Sequence, residues 1–136
     1  MSYLTESEFI AAVREVKTVP DVSNRWGKQA NFPRFKIDTD FHQDDFDKGS
    51  PWIMAEVFQG TIGHKKDRLA LHVWFGSSRF IEEDITDVEP DERERLAKAA
   101  LVLVHRVNEV VNAGDKIRTM SAFELDRELA FRRFEQ

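Results

Sequence analysis

The chain is 136 residues long with 41% hydrophobic content, enough for one continuous core, and it reads as a single domain over 1–136. A net charge of −5 leaves no global cationic field, so nucleic acid or an anionic membrane would have to be met by a local patch that the rest of the surface opposes. The absence of cysteine excludes disulfides, thiolate metal sites and cysteine nucleophiles, and the longest apolar run, 99–104, is far short of the ~20 residues of a membrane span.

The first element is announced by Thr5-Glu-Ser-Glu8, a capping box with Leu4 and Phe9 at the two staple positions. Phe9, Ile10, Val13 and Val16 repeat at helical spacing before Pro20, which predicts a helix over 6–18. Segment 24–47 then runs from a basic, aromatic stretch (Arg25, Trp26, Lys28, Phe32, Arg34, Phe35, Lys36) directly into an acidic one (Asp38, Asp40, Asp44, Asp45, Asp47). Within it, 34–41 alternates strictly. Phe35, Ile37, Thr39 and Phe41 share one side of a half-buried strand, and Arg34, Lys36, Asp38 and Asp40 share the other as plus, plus, minus, minus.

The next segment, 52–59, is apolar on both faces apart from Glu56, as a central strand would be. A Gly- and Lys-rich turn at 60–67 leads to a second alternating strand at 68–75, with Leu69, Leu71, Val73 and Phe75 inward and Ala70, His72 and Trp74 outward, so these two strands form a hairpin. The acid-rich run 82–94 is read mainly as the charged start of a helix, with Pro90 at its first position and Asp91, Glu92 and Glu94 at the positive end of its dipole. Leu96, Ala99, Ala100, Leu103, Val107, Val110 and Val111 mark its buried face, widened by Leu101, Val102 and Val104, until Asn112-Ala-Gly114 ends this core helix. Beyond it, 116–120 reads as a short edge strand. Ser121-Ala-Phe-Glu124 then opens a closing helix, 122–134, whose Phe131 and Phe134 do not share a stripe with Leu125 and Leu129. The expected fold is α+β: an antiparallel three- or four-stranded sheet with helices mainly on one face, in the order α-β-β-β-α-(β)-α.

Few motifs carry chemistry. Asp38, Asp40 and His42 share a strand face that His72 would join in a simple meander, a set able to hold a divalent metal and hence the basis of a metal-dependent enzyme. Asp45, Asp47 and Glu56 fit a calcium loop at three places, but Gly49 and Ser50 break it. Gly76-Ser77-Ser78 lacks a nucleophile elbow, and 60–66 lacks phosphate-loop spacing. No cofactor or catalytic residue is therefore assigned.

The element order is shared with double-stranded RNA-binding domains, but Asp91-Glu-Arg-Glu94 stands where those domains present lysines to phosphate. The same order with a proline-led central strand, Pro51-Trp52, resembles in layout, over residues 5–112, the small tail-terminator and head-to-tail joining proteins of tailed phages. That resemblance implies an assembly subunit.

The leading expectation is a cytoplasmic, non-enzymatic protein-binding module: an adaptor, an inhibitor, or an assembly subunit of phage or accessory-element type. Its partner is another protein or its own copy, and it has no membrane partner. The contacts would come from Arg25, Trp26, Arg34, Lys36, Asp38, Asp40, His72, Trp74, Phe131 and Phe134. The alternative is single-stranded nucleic-acid or nucleotide binding through Arg25, Trp26, Lys28, Phe32, Arg34 and Phe35, which the net charge disfavours.

Overall fold

The computed structural model describes residues 3–20, 32–38, 52–76 and 78–112. The element order is α1 (Glu6–Glu15), β1 (Arg34–Asp38), β2 (Trp52–Ile62), β3 (Lys65–Phe75), β4 (Ser78–Asp84) and α2 (Pro90–Asn112). The four strands form an antiparallel meander, β1-β2-β3-β4, which makes the fold α+β. The expected strand at 116–120 and the closing helix at 122–134 lie outside the described residues.

The capping box forms as the sequence predicts. Thr5 Oγ1 accepts from the Glu8 amide at 3.2 Å, and Glu8 Oε1 accepts from the Thr5 amide at 2.9 Å. Helix α1 ends at Glu15, three residues earlier than expected, because Val16 is already extended (φ −63°, ψ 140°). The chain leaves the helix to meet the sheet, where the buried Gln59 side chain imitates a backbone strand. Its Oε1 accepts from the Val19 amide at 2.8 Å, and its Nε2 donates to the Val19 carbonyl at 2.9 Å.

The β2–β3 hairpin is longer than the sequence spacing implies. Gly63, at φ 61°, lets two residues close the turn between Ile62 and Lys65, so most of the expected 60–67 loop is strand. Asp67 takes up the register shift there in a left-handed conformation (φ 57°).

Strand β4 is the element the sequence reading missed. Its register steps from Val73↔Ile81 to Trp74↔Arg79, leaving Phe80 as an extra residue, and both Phe80 and Ile81 are buried. The bulge breaks the alternation that would have announced a strand. The acidic run is thus a strand end, Glu82 to Asp84, followed by a turn and then the helix.

Phe35, Ile53, Ala55, Val57, Leu71 and Val73 form the inner face of the sheet, and α1 and α2 pack on it. Ala97 and Ala100, both fully buried, supply small surfaces where α2 meets the core, while Val102, predicted to widen its apolar face, is 43% exposed. The helices run antiparallel: Arg14 of α1 donates to Asp91 and Glu94 at 2.9 Å each, and Glu6 lies 3.3 Å from His105.

The junction is closed by Arg93, which is buried and bonded only to carbonyls. Its Nε donates to Ile85 and Val88, one terminal nitrogen donates to Val13 and Val16, and the other donates to Thr86. One cation therefore caps the C-terminus of α1 and fixes the turn before α2.

Candidate functional site

Directly paired residues in an antiparallel sheet share a face, so the register fixes what the side away from the helices presents. One cross-strand row reads Arg34, Glu56, His72, Glu82. The next reads Lys36, Met54, Trp74, Arg79, and a third places Phe58 beside Ala70 and Asp84. Trp52 lies beyond, paired with Asp38. Among the described residues, no helix or strand packs on this face.

His72 forms the centre of the face. It is 3% exposed, with the Phe58 ring stacked on it at 5.7 Å and the Trp74 ring edge-on at 5.6 Å. Its Nε2 lies 3.2 Å from Glu82 Oε2, while Nδ1 is 3.7 Å from Glu56 Oε2 and has no hydrogen-bond partner. Glu56 Oε2 instead accepts from Trp74 Nε1 at 2.9 Å, and Glu82 Oε2 also accepts from Arg79 at 3.2 Å. An imidazole, an indole, two carboxylates and a guanidinium thus fix one another, which holds the rings of β2 and β3 in one arrangement.

On the β1 side, Arg34 and Lys36 both lie over the Tyr3 ring, at 5.0 and 4.8 Å from its centroid. Lys36 also pairs with Asp38 at 3.4 Å, while the buried Arg34 Nε has no hydrogen-bond partner. At the far end of β4, Asp84 accepts from Arg68 at 2.8 Å and from the Thr86 hydroxyl at 2.7 Å. Burial pushes the Asp84 carboxyl upward, but Thr86 and Arg68 together hold it below its ordinary value.

The structure brings together Arg34, Lys36, Asp38, His72 and Trp74 of the expected partner-binding set on one face. Arg25, Trp26, Asp40, Phe131 and Phe134 lie outside the described residues. His72 and Ala70 do sit on the outward side, but as a buried floor under neighbouring rings and not as protruding contacts.

Of the nucleic-acid set, Phe32 and Phe35 are core residues, 4% and 8% exposed, with no free ring face for a base. Lys28, like Arg25 and Trp26, is not among the described residues. For the metal reading, Asp40 and His42 are likewise outside, and among the described residues no group of three or more His, Asp or Glu side chains is placed to hold an ion. Glu56 and Glu82 approach opposite nitrogens of His72, so they do not converge on one point. No described helix is long and apolar enough to cross a membrane.

The sequence reading left out Glu56, Arg79 and Glu82 from the face. The signal for the first was present, since a lone carboxylate inside an otherwise apolar central strand requires a buried partner. Arg79 and Glu82 could not be placed without β4.

Compared with models of protein families, with curated proteins and with solved structures, the chain matches none.

Proposed function

We propose that this chain is a protein-binding module, an adaptor, inhibitor or assembly subunit, that engages its partner through the face of the sheet on which none of the described helices packs. One observation carries the reading: half-buried Trp52, Met54, Phe58 and Trp74 stand together on that face, bordered by Arg34, Lys36 and Asp38 on one side and Arg79, Glu82 and Asp84 on the other. Large rings and methionine at the centre with charge at the rim is the anatomy of a protein interface. The mutual locking of His72, Glu56 and Trp74 supports it too, because a rigid aromatic surface loses little entropy on association.

The test is capture of partners from a lysate of the source cells by the immobilised full chain, compared with two single variants. Met54→Glu places a charge at the centre of the face, and Val102→Glu places one on the exposed side of α2. Specific capture should fall at least about tenfold for Met54→Glu and stay unchanged for Val102→Glu, with both variants melting as the parent does. Equal capture by both variants refutes the assignment.

A further inference from the structure

Strands β2 and β3 have eleven residues each, whereas β1 has five and β4 has seven. The excess lies at one end. Among the described residues, the chain beside β2 reaches no further than Pro33, whose carbonyl accepts from the Val57 amide, and the chain beside β3 no further than Ile85, whose amide donates to the Leu69 carbonyl. Beyond the Gln59↔Leu69 pair the sheet is therefore a two-stranded ribbon, about 13 Å from that pair to its turn. No residue from 60 to 68 is buried, and Thr61 and 63–67 are all exposed. A ribbon of this kind is marginal by itself and adds little to the core, so packing does not account for its length.

Its direction is nevertheless fixed at the base. Asp67 takes up the register shift in a left-handed conformation, and its Oδ1 accepts from Gln59 Nε2 at 3.4 Å. Gln59 is itself tied to both backbone groups of Val19. Arg68 is matched by Asp84 and Asp87 at 2.8 Å each, but the side chains of Lys65 and Lys66 take part in no ion pair. They are consecutive in β3 and so project from opposite faces of the ribbon. The molecule as a whole carries a net charge of −5. At physiological ionic strength the screening length is ~8 Å, shorter than the ribbon, so the cationic tip acts apart from the acidic body.

From this placement we infer that the β2–β3 ribbon is a cationic arm that enters an acidic cleft of a partner protein, with Lys65 meeting carboxylates on one wall and Lys66 on the other. The sign of the tip excludes a basic partner. Two lysines are few beside the ~6–10 phosphate contacts of a strongly salt-dependent nucleic-acid site. The segment 59–68 also contains no Phe, Tyr or Trp on which a base could stack. Cations on opposite faces suit two facing walls, because a flat acidic surface would meet only one of them. The contact is separate from the sheet face proposed above and does not depend on it.

Two measurements on the full-length protein test this. In the first, zero-length carbodiimide cross-linking in a lysate of the source cells joins a lysine amine to a carboxylate that it touches, and mass spectrometry of the linked peptides reads the site. Lys65 and Lys66 should link to Asp or Glu in two different segments of one protein, at least about tenfold more often than the exposed Lys17 does. In the second, the amide resonances of 61–68 are followed during titration with poly-L-glutamate and with a single-stranded oligonucleotide of equal charge. Poly-L-glutamate should shift them at concentrations at least about fivefold lower than the oligonucleotide requires, and Lys65→Glu/Lys66→Glu should weaken its effect at least about tenfold. Lys17→Glu should leave it unchanged, and both variants should melt as the parent does.

Links no more frequent than those of Lys17, or links from both lysines to a single segment, overturn the cleft. An oligonucleotide that shifts the arm as readily as poly-L-glutamate overturns the protein partner in favour of nucleic acid. A folded Lys65→Glu/Lys66→Glu variant that responds as the parent does overturns the arm itself.

Discussion

Arg93→Met should be the most damaging single substitution outside the apolar core. Methionine fills a similar volume, so the cost comes from hydrogen bonding and not from a cavity. Five carbonyls lose the guanidinium as a donor: Val16 at 2.6 Å, Val88 at 3.0 Å, Ile85 and Thr86 at 3.1 Å, and Val13 at 3.4 Å, of which Ile85 still accepts from the Val88 amide. A bond to a charged group contributes roughly 1.5–3 kcal/mol, but five bonds to one guanidinium share their geometry and do not add. Val13 and Val16 are also end carbonyls of α1, with no following turn to receive. The expected loss is about 3–4 kcal/mol, or about 10–15 °C in melting temperature for a chain of this length. Arg93→Lys keeps the charge but can reach only one or two of the carbonyls, and should lose about half as much. Urea unfolding followed by far-ultraviolet circular dichroism gives both values, and an unchanged slope confirms that the folded state is intact. If Arg93→Met costs less than about 1 kcal/mol, Arg93 is not what joins α1 to α2.

Two further outcomes are expected. Asp84 is held below its ordinary value, so its stabilising contribution is full above that value and lost as pH falls through the lowered one. Asp84→Asn should therefore be less stable than the parent at neutral pH and should lose less on acidification from about pH 6 to about pH 3, and parallel losses in urea midpoint would contradict this. Thr5→Ala removes the hydroxyl that accepts from the Glu8 amide and should cost about 1 kcal/mol by chemical unfolding, whereas Thr5→Ser should cost only a few tenths. Equal losses for the two would show that the cap does not depend on the hydroxyl.

What the sequence made legible, and what it hid, follows from how local each signal is. The start of α1 was readable because Thr5 and Glu8 bond within one turn, the cores of β1 and β3 because their alternation is unbroken, and that of β2 because it is apolar on both faces. Strand β4 was not, because the extra Phe80 places two buried residues in succession and three acids follow. The early end of α1 was not legible either, because the pairing that follows it, of Val19 with Gln59, lies forty positions apart in sequence. For the candidate site, Arg34, Lys36, His72 and Trp74 were named from their strand parity alone. Their arrangement into rows depends on register, which β1 and β2 share only through pairings such as Arg34↔Glu56. Phe32 and Phe35 were drawn into a stacking set by composition, but at 4% and 8% exposure they belong to the core.

The bulge at Phe80 also bears on how copies of this protein can meet. β4 is an outer strand of the described sheet, and such a strand is a template for end-to-end addition of further chains. A bulge turns the strand out of line, and an antiparallel pairing of two such edges centred on Glu83 would bring Glu82, Glu83 and Asp84 against their like-charged copies. Growth by strand addition has no natural stop. The same irregularity that conceals β4 in the sequence therefore protects the molecule from fibre-like polymerisation.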